Sequence, residues 1–195
     1  MRHRRAPRAS RDWPSRLRGL AVVVLVVLVA VLLVRTFLVA PFSIPSGSMA
    51  RTLQIGDRIL VDRASYRLHD VHRGDVVVFD GTDTFGGKDP TDYVKRVIGI
   101  GGDRVICCDR QGRLTVNGDP LEERKYLYPG DAPSELRFEV VVPEGRLWVM
   151  GDHRSDSQDS RAHLGSPGGG TIPADAVIGR VLAVVWPLAR FGGLP

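Results

Sequence analysis

The chain has 195 residues, a formal net charge of +5 and two cysteines, enough for one good-sized domain whose core needs neither metal nor disulfide staples. Residues 1–40 hold eight Arg against one Asp, leaving −2 on the other 155; the basicity is a property of the tail, which argues against a nucleic-acid-binding face on the domain. Cys107 and Cys108 are adjacent, a spacing that fits no disulfide framework, no two-spaced redox motif and no four-ligand metal site, so they read as a pair of strand residues with or without a local bridge.

In chain order, residues 1–19 form a basic tail with Arg2, Arg4, Arg5, Arg8, Arg11, Arg16 and Arg18. From Leu20 to Val34 every residue is Ala, Val or Leu, and the apolar run resumes as Phe37-Leu38-Val39-Ala40. At 1.5 Å per residue, 20–40 makes roughly 31 Å of helix, the thickness of a hydrocarbon core. Arg35 lies near one end, where its stem can reach headgroups. A single transmembrane helix is therefore expected, with the Arg-rich flank cytoplasmic and everything after it exported. A cleaved signal peptide fits less well, because Leu38-Val39-Ala40 is followed by Pro41 and no A-x-A pattern is present.

Beyond residue 40, short Val- and Ile-rich runs are broken by Gly, Pro and Asp: 59–61, 76–79, 93–100, 104–107, 114–116, 138–142, 147–150 and 177–185. They read as strands. No segment of this part shows a sustained 3.6-residue period, so the exported domain is expected to be mainly β. Asn117-Gly118 and Gln111-Gly112 are turn signals, and 81–92 and 164–173 are Gly- and Pro-rich loops. The expected organisation is a catalytic β domain from 41–103 and 147–195, with 104–146 as a small inserted β subdomain.

Three segments could carry chemistry. Pro45-Ser46-Gly47-Ser48-Met49 follows the span so closely that Ser48 lies within roughly 30 Å of the membrane exit, although Ser-Gly-Ser alone is an ordinary flexible loop. Lys95 sits in the strand pattern Tyr93–Gly99 among apolar residues; there the charged amine loses hydration and its pKa falls, leaving a neutral base. Period-2 alternation puts Tyr93, Lys95 and Val97 on one face and Val94 and Arg96 on the other. Gly151–Arg161 is a polar loop directly after a strand, where site residues are commonly presented. Its acids at 152, 156 and 159 miss the alternating spacing of a calcium loop, and His153 has no nucleophile-elbow motif to serve.

Together, in this order after an anchor, these segments resemble type I signal peptidases: PSGSM, then GDRILVDR at 56–63, RGDVVVF at 73–79, YVKRVIG at 93–99 and GDHRSDSQDSR at 151–161. The resemblance covers about 41–185. It implies that Ser48 is the nucleophile and Lys95 the general base, and that Ser157 orients the lysine amine. It also implies an oxyanion hole from the Ser48 N–H and the Ser46 hydroxyl, Asp159 and Arg161 paired to hold the loop, and small apolar pockets lined by Ile44, Met49, Leu53, Tyr93 and Val94. By the same resemblance the substrates are preproteins, bound as an added β-strand with small side chains at −1 and −3. The enzyme would act at the lipid surface of a bacterial plasma membrane, without metal or organic cofactor. The chain departs from the family pattern in Ala50-Arg51, where proline is frequent, and in His153, where asparagine is usual. A reading from another class is a non-enzymatic anchored β module that binds envelope peptides or proteins, for which Lys95 would be dispensable.

Overall fold

The protein was analysed as a computed structural model, which describes residues 13–67, 69–85 and 91–194, with side chains except at 13–16, 33–37 and 67. The basic tail of the sequence reading lies mostly outside the described residues. Helix α1 runs Trp13–Phe37 over 25 residues, and its described side chains, 17–32, are exposed all round. Among the described residues no helix is long and apolar enough to cross a membrane; the expected span at 20–40 falls in part on 33–37, whose side chains are outside them. Its last two residues belong elsewhere, because Val39 and Ala40 open a strand. An apolar run gives no signal where helix passes into strand, since both accept the same residues.

From Val39 onward the chain forms a separate unit and is mainly β. The large sheet takes β1 (Val39–Ser43), β2 (Arg58–Asp62), β3 (Val76–Asp80) and β4 (Asp92–Ile100). Later segments complete it: β9 (Arg146–Met150), β10 (Ile172–Pro173), β11 (Val177–Trp186) and β12 (Gly192–Gly193). Its order is β1-β2-β11-β3-β4-β9-β10, with β12 also on β11, and every pairing is antiparallel. A second sheet, ordered β7-β6-β5-β8, is built from β5 (Arg104–Cys107), β6 (Leu114–Val116), β7 (Asp119–Pro120) and β8 (Phe138–Val141). Its β6–β7 hairpin turns on Asn117-Gly118, both at positive φ, 57° and 93°, the conformation a two-residue hairpin turn demands. Cys107 and Cys108 are joined to each other.

Alternation along β4 divides the core. Val94 packs with Ile44, Met49, Leu53, Val76 and Val78, whereas Tyr93 and Val97 pack with Val77, Phe79 and Val149. The small sheet packs on the large one through Ile98, Trp148 and Met150, which meet Val105, Leu114 and Phe138; the Phe138 and Trp148 rings lie 5.0 Å apart. Each such fully buried side chain contributes about 1.5–3 kcal/mol. One feature of β4 positions the site. Its residues 96–100 are paired by β9, whereas Asp92–Lys95 pair only with β3, so β4 projects past β9 with one backbone edge open.

Candidate active site

The turn that carries Ser48 lies beside the stretch of β4 left unpaired by β9, in contact with Lys95. A tight winding, with Ala50 N–H donating to Gly47 O at 2.8 Å and Leu53 N–H to Met49 O at 2.7 Å, drives Met49 and Leu53 into the core, 1% and 0% exposed. Ser48 is thereby brought beside β4, and Lys95 Nζ donates to Ser48 Oγ at 2.7 Å. Ser46 Oγ is 3.4 Å from Ser48 Oγ. Lys95 is buried, and this desolvation pushes its pKa down from 10.5 to about 8 against the pull of Asp159, with Arg161 lowering it further. A hydroxyl in contact with an amine that is neutral for a good part of the time near pH 8 is the arrangement of an activated nucleophile.

The loop after β9 clasps the turn from the other side. His153 N–H donates to Ser48 O at 3.1 Å, and a Cβ placed on Gly151 would stand 2.5 Å from Ser48 O and 2.2 Å from Ser157 Oγ. Ser157 thus lies one atom layer from the Ser48 carbonyl. Its Oγ is buried and makes no hydrogen bond of good geometry, although its nearness to Asp159 helps to hold that carboxyl down. Burial alone would raise the Asp159 pKa; hydrogen bonds and charge from Arg161, with the Gly151 N–H, hold it below the usual carboxylate range. Arg161 meets Asp159 through Nε at 2.9 Å and a terminal nitrogen at 2.8 Å, and also donates to Arg154 O at 2.8 Å.

A cleft of about 280 Å³ opens beside the pair, bordered by Ile44, Ser46, Ser48, Met49, Tyr93, Val94 and Lys95. Of the expected pocket residues only Leu53 is missing: it is fully buried in the core with Met49 and Ile59, because the turn winds it inward. No group of three or more His, Cys, Asp or Glu residues suited to a metal occurs among the described residues.

A match to the family described as signal peptidase, peptidase S26, spans residues 17–186. The chain belongs to this family. It is similar to "Probable signal peptidase I" of Mycobacterium leprae, with 37% identity over 226 aligned positions, 89% of this chain and 78% of the relative. It is 38% identical to "Signal peptidase I" of Mycobacterium tuberculosis over 91% of this chain and 75% of that one. "Probable signal peptidase I-2" of Synechocystis is 39% identical over 76% of this chain and 64% of its own length. The first of these alignments is longer than the whole of this chain, so that relative carries segments absent here.

As a member of a peptidase family the protein is a hydrolase, and the site contains further residues whose importance the sequence reading overlooked. Arg96, next to Lys95 but on the opposite face of β4, reaches both oxygens of Asp152 at 2.8 and 2.7 Å. Thr52, four residues past Ser48, donates to the same carboxylate. Arg154 donates to Gly151 O at 2.8 Å and to Glu123 of the inserted segment. A basic residue inside an apolar strand was a visible signal for Arg96; nothing in the sequence pairs Glu123 with Arg154. Arg51 has φ 82°, a value closed to proline.

Gly151 is fixed by close approach. Gly151→Ala is expected to lower kcat by about a hundredfold, since a displacement of about 1 Å in a reacting group has that effect, while the full chain keeps its secondary structure. Circular dichroism beside a cleavage assay checks both; full activity with an intact fold would contradict the packing described.

Proposed function

We propose that this protein is a membrane-anchored serine endopeptidase that removes signal peptides from exported preproteins, with Ser48 as nucleophile and Lys95 as general base. The observation that carries this reading is the 2.7 Å contact between Lys95 Nζ and Ser48 Oγ, with the amine buried. Neutral Lys95 takes the Ser48 proton as Oγ attacks the scissile carbonyl. The oxyanion that forms is held by the Ser48 N–H and the Ser46 hydroxyl. Collapse of the intermediate expels the new amino terminus, which takes its proton from the Lys95 ammonium. Lys95 then deprotonates the water that attacks the acyl-enzyme ester, and Ser48 is restored. The buried Ser157 hydroxyl orients the amine, and Asp159 with Arg161 fixes the loop that presents it.

The open edge of Asp92–Lys95 suits a substrate added as a strand, whose alternate side chains enter the cleft between Ile44, Met49, Tyr93 and Val94; its modest size favours small residues at −1 and −3. In this reading α1 is the single span, with the Arg-rich tail cytoplasmic and the unit from Val39 outside the plasma membrane, near the lipid from which signal peptides emerge.

Purified full chain in detergent, given a preprotein with an A-x-A site, should cut after that site, and Ser48→Ala and Lys95→Ala should not. Three proteins that behave alike would leave the anchored binding module as the better account. With a Lys95 pKa of about 8, kcat/KM should rise tenfold per pH unit below that value and level off above it. A limb centred near 10.5 would mean that Lys95 keeps its hydration in solution.

A further inference from the structure

A substrate strand that crosses Ser48 must continue beyond it, and the cleft described above holds only what precedes the cut. A second cavity, of about 260 Å³, is lined by Asp131, Glu135, Leu136, Arg154, Ser157 and Arg161. It shares none of its lining with the first cleft. Ser157 joins it to the chemistry, because this side chain rests against Gly151, as does the Ser48 carbonyl.

The charge of this cavity is lopsided. Both arginines are already occupied, Arg154 by Glu123 and Arg161 by Asp159. Asp131 accepts from Ser155 Oγ at 2.9 Å and Ser155 N–H at 3.1 Å. Glu135 is exposed and forms no ion pair or hydrogen bond among the described residues. The surplus is negative, beside an apolar wall at Leu136, which is 47% exposed.

We propose that this cavity receives the first residues of the mature chain, those after the cut, and that its carboxylates disfavour acidic side chains there. The proposal rests on the peptidase reading above. It also gives the released amino terminus, an ammonium for much of the time at pH values near 8, an acidic surface on which to leave. Glu135 is the specificity-determining residue singled out, since it is the carboxylate with no internal partner.

The test uses full chain in detergent and two peptides identical up to the cut, with Lys or Glu as the second residue after it. A control pair carries the same exchange well before the cut. Wild type should prefer Lys over Glu in kcat/KM by about threefold or more, the scale of an exposed charge contact, and Glu135→Lys should erase or reverse that ratio while leaving the control ratio unchanged. Glu135 is exposed, and a thermal melt establishes that the variant is folded. An identical Lys-to-Glu ratio in both enzymes, with Ser48-dependent cleavage intact, overturns the proposal. Absence of any Ser48-dependent cleavage sinks the peptidase reading itself, and this proposal with it.

Discussion

Lys95→Met is expected to abolish cleavage, by a thousandfold or more, and at pH 7 to make the protein more stable. On the mechanism proposed above, the loss follows from removing the amine in contact with Ser48 Oγ, since general-base assistance contributes roughly 10²–10⁴-fold and residues that act as a unit fail together. The gain follows from burial. A lysine whose pKa falls from 10.5 to about 8 on folding binds its proton more weakly in the native chain than in the unfolded one. Its cost to stability at pH 7 is about 3 kcal/mol. Methionine removes that cost and gives up the hydrogen bond to Ser48, worth about 1 kcal/mol. The net of about 2 kcal/mol raises Tm by roughly 4–8 °C for a domain of this size. The sign depends on pH in a defined way: the cost is fully present below pH 8 and disappears as pH rises through 10.5, so the advantage of the variant shrinks over that window. Melting curves of both proteins at pH 7 and pH 10.5, beside a cleavage assay, decide it. A variant that is less stable at pH 7 would show that Lys95 is not desolvated at a cost.

The second large effect is at Asp152. Its carboxylate is fully buried and accepts both arms of Arg96 and the Thr52 hydroxyl. Asp152→Ala leaves the Arg96 guanidinium, 5% exposed, without its counter-charge, and breaking a buried pair on one side costs about 3–5 kcal/mol. Tm should fall by roughly 6–20 °C. The pair Arg96→Met with Asp152→Leu removes both charges and should recover most of that stability. It should not recover kcat, because the bonds from Thr52 to Asp152 and Arg96, which help tie the Ser48 turn to β4 and to the Gly151 loop, are then gone. A double variant as active as wild type would reduce this network to a purely stabilising role.

Lys95 shows why part of the site was legible in the sequence. An amine inside an apolar strand pattern signals desolvation, but its pairing with a serine came only from the family resemblance of the motifs taken together, since a lone strand lysine can also face solvent. The alternation that separates Tyr93 and Val97 from Val94 was equally readable, because strand period is local geometry. Leu53 shows the opposite. The family resemblance implied a pocket residue, yet the winding of the turn buries it completely. Val39 and Ala40 open β1, yet the sequence carries no local mark where helix gives way to strand, since an apolar run suits both.

What the sequence determined by itself is what one-dimensional pattern can encode: the location of charge, the apolar runs of the N-terminus, the β character of the rest, the hairpin at Asn117-Gly118, and the motifs that hold Ser48, Lys95 and the Gly151–Arg161 loop. Tertiary structure alone decided which groups meet. Lys95 is 47 residues from Ser48 and Glu123 is 31 from Arg154, separations at which no local rule operates. The open edge of β4 exists only because β9 stops pairing at Arg96. Lys95 acquires a lowered pKa only when the Ser48 turn and the Ser157 loop close over it and exclude water, for desolvation is a property of the packed site and not of the residue.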